Sequence, residues 1–305
     1  MQILASPHAG GARVGVAGYF GGGYDDSPIT AGIDKITFPL DTKTTLSATM
    51  SSARYSYAGF ADSGVAGYFA GGFDSGYLSG IDKITFPADS KSTLSATLTN
   101  AKSELGAMAN SGVAGYVAGG NDGTRYSTID KITFPGDTKS TLVPTLTSGT
   151  RLLAGMADSG VAGYFGGGND GSRTTRIDKV TFPGDTKSTS AATLTTAVQA
   201  LSAMANSGVA GYFGGGDASG NTDRIDKITF PTETKSTLSA VLTSAKEGIG
   251  GMADSGTAGY FGGGGYPNVS RIDKITFPAD TKSTISATLT TARYNLSAMA
   301  DSGVL

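Results

Sequence analysis

A segment of about 48 residues occurs six times in this chain, and the repetition constrains the fold more than any other feature. Ile-Asp-Lys-Ile-Thr-Phe is found at 33–38, 81–86, 129–134, 225–230 and 272–277, and with a valine in the fourth place at 177–182. Gly-Tyr-Phe or Gly-Tyr-Val precedes every copy. The aspartates of successive copies lie 48, 48, 48, 48 and 47 residues apart. Such a chain folds by stacking equivalent units, because one unit alone cannot bury its apolar surface.

Each repeat reads as four short β-strands, which we call A to D. In one copy, strand A is Leu201–Ala205, strand B is Val209–Phe213, strand C is Ile225–Phe230 and strand D is Ser236–Thr243. Glycines close strand B, and Pro231 ends strand C because proline has no amide to continue a ladder. No repeat has the i, i+3, i+4 apolar spacing of a long helix. The pattern therefore predicts an all-β protein.

The order of motifs resembles the kelch repeat over residues 14–305. Strand B ends in a glycine doublet, a variable loop follows, and an Ile-Asp-Lys strand ends in Phe-Pro before Asp-Thr-Lys and a last strand. The resemblance implies a six-bladed kelch-like β-propeller with four antiparallel strands per blade, since kelch units have a period of about 50 residues. Residues 1–13 then form an N-terminal arm beside this single domain.

The two ends of the sequence predict how the ring closes. Residues 296–303 make a complete strand A with no strand B after it, and residues 16–20 make a good strand B near the start. We expect the C-terminal strand to complete the first blade, which leaves no open sheet edge. In the alternative arrangement, residues 9–15 serve as the first strand A and the C-terminal strand stays unpaired.

Composition removes several classes of function. The formal net charge is -2 and no basic patch is present, which argues against binding to nucleic acid or to a charged membrane surface. No stretch approaches the ~20 apolar residues of a membrane span. The chain has no cysteine, and its single histidine is His8. This excludes Ser-His-Asp and Cys-His catalysis and sites with several histidine ligands.

Two enzyme classes are known on related propellers, and neither pattern is present. Copper-radical oxidases need a cysteine–tyrosine crosslink and histidine ligands, and sialidase-type propellers carry Asp-box motifs with tryptophan, which this chain lacks. We therefore expect no cofactor, no metal site and no enzyme activity. A carbohydrate-active enzyme is the least favoured reading and would require two facing carboxylates near the axis.

Differences among the six copies are concentrated in two connections, B–C and D–A. In an antiparallel blade these two connections lie on the same face of the disc, so we predict a recognition surface there, rich in the aromatic and polar side chains that binding surfaces use. The competing explanation is that exposed loops vary because nothing constrains them. The candidate binding residues are Tyr24, Asp25, Arg54, Tyr55, Tyr57, Phe73, Tyr77, Arg125, Tyr126, Arg151, Arg173, Asp223, Tyr266, Arg293 and Tyr294.

The A–B and C–D turns, by contrast, hardly change. Asp or Asn followed by Ser-Gly recurs in the A–B turn, and a turn acid followed by Thr-Lys or Ser-Lys recurs in the C–D turn. This face is either a docking ring for a partner of matching symmetry or ordinary turn chemistry. Asp34 and its five equivalents in strand C are expected to satisfy donors between blades.

The leading functional hypothesis is a binding propeller that recognises a surface glycan or protein. Similarity to kelch-like proteins of bacteriophages and aquatic bacteria implies a virion or tail component at the extracellular surface, with other virion or tail proteins as further partners. The alternative is a structural hub that docks onto a larger, six-fold assembly.

Overall fold

The computed structural model describes residues 16–25 and 29–301, and these form 24 strands and no helix. The strands make six sheets of four antiparallel strands each. Strand A of every blade packs against strand A of the next, so the sheets are arranged around a central axis. The protein is a six-bladed β-propeller, as the repeats predict.

The strands keep the same positions within each repeat, and we number them β1 to β24 in chain order. The B strands are β1 (Ala17–Gly21), β5 (Ala66–Ala70), β9 (Ala114–Asn121), β13 (Ala162–Gly166), β17 (Ala210–Gly214) and β21 (Ala258–Gly262). The C strands are β2 (Ile33–Thr37), β6 (Ile81–Thr85), β10 (Ile129–Thr133), β14 (Ile177–Thr181), β18 (Ile225–Thr229) and β22 (Ile272–Thr276). The D strands are β3 (Thr42–Thr45), β7 (Ser90–Thr93), β11 (Thr138–Thr141), β15 (Thr186–Thr189), β19 (Thr234–Thr237) and β23 (Thr281–Thr284). The A strands are β24 (Ser297–Ala300), β4 (Ala58–Asp62), β8 (Ser103–Asn110), β12 (Ala154–Asp158), β16 (Ser202–Asn206) and β20 (Gly250–Asp254), for blades 1 to 6 in that order.

The C-terminal strand closes the ring. Blade 1 has the order β24-β1-β2-β3, with Gly18 opposite Ala300 and Gly21 opposite Ser297. This confirms the predicted closure, because β24 occupies the innermost place that residues 9–15 would otherwise fill. The predicted arm, residues 1–13, lies outside the described residues.

Strand D differs from its sequence-based bounds. In blade 5 it covers Thr234–Thr237, whereas the alternation of leucines predicts a strand at 236–243. Beyond Thr237 the chain turns inward: the Leu238 amide donates to the carbonyl of Ile225, and Leu242 is almost fully buried. The alternating leucines therefore anchor the D–A connection to the core and do not mark a half-buried strand.

Six apolar clusters, one at each interface between blades, make up the core. Each strand-B tyrosine stacks on the Phe-Pro phenylalanine of the next blade, as in Tyr19 on Phe86 at 5.1 Å and, across the closure, Tyr260 on Phe38 at 4.9 Å. The glycine before each tyrosine lies against a large strand-A side chain of the preceding blade, such as Met108 over Gly163. The invariant Gly-Tyr pair thus packs neighbouring blades against each other.

Polar side chains also join neighbouring blades, at equivalent positions around the ring. Asp82 in strand C accepts hydrogen bonds from the amide and hydroxyl of Ser51 in blade 1, both at 2.8 Å, and from Arg54 at 2.6 Å. The equivalent aspartates accept from equivalent residues around the ring, which confirms their expected role between blades.

Each C–D turn acid forms a second tie between blades. Asp137 accepts from the Tyr68 hydroxyl at 2.7 Å and from Lys83 at 2.6 Å, both in the preceding blade. The same triad occurs at every interface, with Glu233 in place of aspartate at one of them. These turn acids, which we call clasps, therefore join neighbouring blades and are not only part of the turn chemistry.

Candidate functional site: the variable face of the propeller

The structure separates the connections onto two faces, as predicted. The B–C loops and D–A connections meet on one face, which we call the variable face, where Tyr24 forms a bridge to Tyr294 and Tyr55 to Phe73. The A–B and C–D turns meet on the other, the uniform face, where the Phe38 amide donates to the carbonyl of Val16.

A closed ring of backbone hydrogen bonds surrounds the axis at the variable face. In five blades the residue two positions before strand A, and in blade 3 the second residue of strand A, has a φ between 51° and 61°. Its amide donates to the equivalent carbonyl of the neighbouring blade at 2.6–2.9 Å. The six residues are Ser56, Glu104, Leu152, Ala200, Gly248 and Asn295. Non-glycine residues adopt this conformation only where the surroundings hold them in it, and here the six bonds do so together. The ring fixes the mouth of the central channel.

Below this ring lies a cavity of about 100 Å³, lined by the first residues of the six A strands. Pockets for small organic ligands usually measure about 300–1,000 Å³. The cavity is too small for such a ligand, so anything larger must lie across the mouth.

Around the mouth, each blade presents one pair of residues joined across the D–A connection and the B–C loop. We call these the rim pairs. For blades 1 to 6 they are Tyr294–Tyr24, Tyr55–Phe73, Ser103–Asn121, Arg151–Asn169, Gln199–Asp217 and Glu247–Gly265. The backbone geometry is the same in all six blades, yet all six pairs differ, whereas the strands beneath are nearly identical. The chemical diversity of the repeats is thus concentrated around one opening.

The rim pairs of blades 1 and 2 are aromatic, and further rings flank them. Six rings follow one another across blades 6, 1 and 2 with centroid separations of 5.2–5.7 Å and tilts of 53–81° between neighbours. We call this series the aromatic arc; its members are Tyr266, Tyr294, Tyr24, Tyr55, Phe73 and Tyr77. The two end rings are the most exposed, with Tyr266 at 63% and Tyr77 at 38%. The arc is a continuous amphipathic surface with hydroxyls at its edges.

The rest of the rim is polar, and we call it and the side chains paired with it the polar arc. Its members are Glu104, Arg151, Asn169, Arg173, Gln199, Asp217 and Glu247. Arg151 pairs with Glu104 at 3.1 Å, and Arg173 pairs with Asp217 at 2.5 Å. Gln199 donates to Asp217 at 3.1 Å and accepts from Asn169 at 2.8 Å. Most of these contacts join neighbouring blades, so the arc is held as one network.

Two carboxyls of the polar arc have opposite pKa shifts. Burial alone would raise the pKa of Asp217, but hydrogen bonds from Arg173 and Gly220 outweigh it and lower the pKa. Burial, followed by the nearby charge of Asp217, raises the pKa of Glu247. Two carboxyls whose surroundings shift their pKa values in opposite directions thus lie close enough to interact.

Three of the fifteen predicted binding residues are buried. Arg54 and Arg293 are 1% and 2% exposed and pair with Asp82 and Asp34 at 2.6 and 3.0 Å. Tyr57 is 5% exposed and packs at an edge-to-face angle on Phe69. Their side chains support the variable face from below and present no surface to a ligand. Loop position alone could not reveal this, because the D–A connection dips into the core.

The other twelve lie at the surface of the variable face. Tyr24, Tyr55, Phe73, Tyr77, Tyr266 and Tyr294 form the aromatic arc, and Arg151 and Arg173 belong to the polar arc. Arg125 is exposed, while Tyr126, Asp25 and Asp223 are half-buried. The Tyr126 hydroxyl donates to Asp122 at 2.7 Å. The structure thus brings six of them into one arc.

Sequence reasoning missed seven of the twelve rim residues, among them five polar side chains. Asn121, Asn169, Gln199, Asp217 and Glu247 face the mouth from the same repeat positions as the aromatic residues. An alignment of the six copies at these two positions would have found them, since each is the partner or equivalent of a residue already selected.

On the uniform face the repeated polar residues are used within the protein. The Asp62 carboxylate accepts from the amide of Gly112, and the amide of Ser63 donates to the hydroxyl of Ser111, with equivalent bonds in the following blades. This accounts for the Asp/Asn-Ser-Gly motif by structure alone.

Among the residues that the structure describes, no three His, Cys, Asp or Glu side chains lie together in a way that could hold a metal ion. Within the same ranges, no helix could span a membrane.

Comparisons with known proteins support the architecture. No protein-family model matches the chain, and no curated protein matches it. Among solved structures, the chain is similar to one titled "Structure of YjhT", with a TM-score of 0.66 and 14% sequence identity. The match covers 81% of this chain and 87% of that chain. At this identity the likeness shows the propeller fold.

The comparison overturns one expectation, that the chain is not an enzyme. The chain shares its fold with YjhT, and propellers of this general kind include the enzyme classes considered above. The reasoning was wrong because a lack of cysteine and of repeat histidines removes only mechanisms that use those groups. Chemistry carried by carboxylates stays open, and Glu247 and Asp217 are two carboxyls with opposite pKa shifts.

Proposed function

We propose that this propeller recognises a carbohydrate at its variable face. The observation that carries the proposal is the rim: six equivalent pairs with one backbone geometry and six different chemistries, on a scaffold that is otherwise repeated almost without change. If loop drift alone explained the differences, they would have no reason to gather around the mouth.

The kinds of side chain also favour a sugar ligand. Sugars present flat C–H faces that pack on aromatic rings and hydroxyls that exchange hydrogen bonds with Asn, Gln, Asp and Arg. The rim offers both, with the aromatic arc on one side of the mouth and the polar arc on the other. Its twelve backbone positions are held by bridges between strands, so little ordering is needed on binding.

The test is a glycan-array and cell-surface binding screen with the purified chain. A rim variant carries Tyr55, Tyr126, Arg173 and Tyr294 as alanine, and a control variant carries Val65 and Val161, exposed residues of the uniform face, as alanine. We expect the native chain and the control to bind and the folded rim variant to lose binding. Equal binding by all three would remove recognition from this face, and no binding by any would favour a docking hub.

A second candidate function rests on the two carboxyls of blades 5 and 6. Pairs whose surroundings shift their pKa values apart are typical of acid and base roles in glycoside hydrolysis. Glu247, whose pKa is raised, would donate a proton, and Asp217, whose pKa is lowered, would stay ionised. Release of reducing sugar from array-positive glycans, lost in Glu247→Gln and unchanged in the uniform-face variant Val65→Ala, would support it.

A further inference from the structure

Six nearly identical blades would ordinarily give six equivalent binding sites, and the rim argues against that here. The six rings of the aromatic arc are confined to blades 6, 1 and 2. The corresponding rim positions in blades 3, 4 and 5 hold Ser103, Asn121, Arg151, Asn169, Gln199 and Asp217. The symmetry of the scaffold is thus broken once, along a single arc.

The rings of the arc are fixed in place. Tyr24 meets both Tyr55 and Tyr294 at 5.6 Å, with the rings at 62° and 81°. The backbone below is held by the bridges Tyr24–Tyr294 and Tyr55–Phe73. Because aromatic side chains have few rotatable bonds and these are packed on one another, binding to them orders little. The arc is a preformed surface.

Charge around the arc selects against anions. The cations beneath it, Arg54 and Arg293, are buried and paired with Asp82 and Asp34. Arg271 of blade 6 donates to Ser244 at 2.8 Å.

The carboxylates nearest the arc are more accessible. Asp25 and Asp74 are half-buried in its loops, and Asp74 accepts from the amide of Gly76 at 3.1 Å. The amide of Ser75 also bonds to Asp74, and these bonds lower its pKa, so this carboxyl is negatively charged at neutral pH. The described part of the arc therefore has negative charge nearby and offers no exposed cation.

We propose that the aromatic arc is a single binding site per propeller for an uncharged oligosaccharide, which lies along blades 6, 1 and 2 and not within the central cavity. The inference rests on the proposed function and narrows it: recognition is by ring faces at one arc, and acidic sugars are discriminated against. Tyr266 and Tyr77, the exposed ends, contact the outer sugar units, and Tyr24 contacts the middle of the ligand.

The experiment uses an array that holds neutral oligosaccharides and uronic-acid oligosaccharides of matched length, followed by titration calorimetry with the strongest-binding glycan. The variants are Tyr266→Ala, Tyr77→Ala and Tyr24→Ala, each beside the corresponding phenylalanine substitution where the ring is kept. Arg173→Ala tests the polar arc, and Val65→Ala and Val161→Ala, exposed residues of the uniform face, are matched controls. Far-UV and near-UV circular dichroism check that each variant is folded.

We expect neutral glycans to bind with a stoichiometry of one per chain. Each alanine variant of the arc should weaken binding about tenfold or more, as loss of a buried aromatic contact does, while the phenylalanine variants and the uniform-face controls change it less than threefold. The phenylalanine variants also guard against misfolding, because they keep the packing of the arc.

Other outcomes overturn the inference in distinguishable ways. Preference for acidic glycans, or loss of binding in Arg173→Ala with normal binding in the tyrosine variants, would move the site to the polar arc and leave the proposed function intact. A stoichiometry near six would show equivalent sites in the blades. No binding to any glycan on the array would remove both the inference and the proposed function.

Discussion

Asp82 provides the sharpest test of how the blades are held together. Its carboxylate is fully buried and takes hydrogen bonds from Ser51, Thr93 and Arg54, the last at 2.6 Å, while the Arg54 side chain is only 1% exposed. Burial alone would raise the pKa of Asp82, but bonds from Ser51 and Thr93 and the charge of Arg54 lower it. The substitution Asp82→Asn keeps the shape and removes the charge, leaving a buried guanidinium without its partner.

The chain contains its own control. Asp226 has the same place in blade 5 and bonds to Thr195 and Thr237, but Val198 stands where Arg54 stands in the other interface. Asp226→Asn therefore leaves no buried cation without its partner. Removal of one partner of a buried pair costs about 3–5 kcal/mol, and loss of a hydrogen bond to a charged group costs about 1.5–3 kcal/mol. We expect Asp82→Asn to be the more destabilising by about 2 kcal/mol.

The assay is equilibrium unfolding in guanidinium chloride followed by far-UV circular dichroism, since the chain has no tryptophan. The double variant Asp82→Asn/Arg54→Met should recover part of the loss, because the methionine fills the space without a charge. Equal destabilisation by Asp82→Asn and Asp226→Asn, or no recovery in the double variant, would refute the reasoning.

Two further predictions concern the interfaces. A Cβ on Gly163 would overlap the sulfur of Met108 from the neighbouring blade, so Gly163→Ala should lower the free energy of unfolding by about 1–3 kcal/mol. At Gly136 nothing crowds the new methyl, so Gly136→Ala should change the free energy of unfolding by less than about 0.5 kcal/mol. Equal effects of the two substitutions would contradict the packing. Burial, partly offset by the charge of Asp273, lowers the pKa of Lys246 to about 8, against about 10.4 in an unfolded chain. Between pH 8 and about pH 10 the unfolded state therefore binds more protons than the folded state, and the free energy of unfolding rises with pH. Lys246→Met should accordingly be more stable than the native chain by about 1–3 kcal/mol at pH 7, with the gain lost by pH 10; thermal unfolding at the two pH values checks it, and a gain that does not depend on pH would show that the lysine charge is not its cause.

The repeats were sufficient to predict the fold. Six copies at a period of 48 residues, each with four short strands, specify blades that can be buried only by neighbours, and an unpaired strand A at 296–303 specifies the closure. The separation into a variable and a uniform face followed from the alternation of connections. These features could be predicted because they depend on local pattern and on the antiparallel order of strands.

Which loop residues reach the surface depends on how the blades pack together. Arg54 and Arg293 point into the interface between blades, while the residues that follow them, Tyr55 and Tyr294, lie in the rim bridges. Tyr57 is buried as well, because the positive φ of Ser56 interrupts the alternation of sides. The clasps between Asp137, Tyr68 and Lys83 join residues 54 to 69 positions apart, which no local pattern records. The same holds for the aromatic arc, whose rings come from both ends of the chain and meet because the ring closes between blades 6 and 1. Contacts across the closure depend on the curvature of the whole propeller, so the repeats specify the scaffold and the closed ring assembles the candidate site.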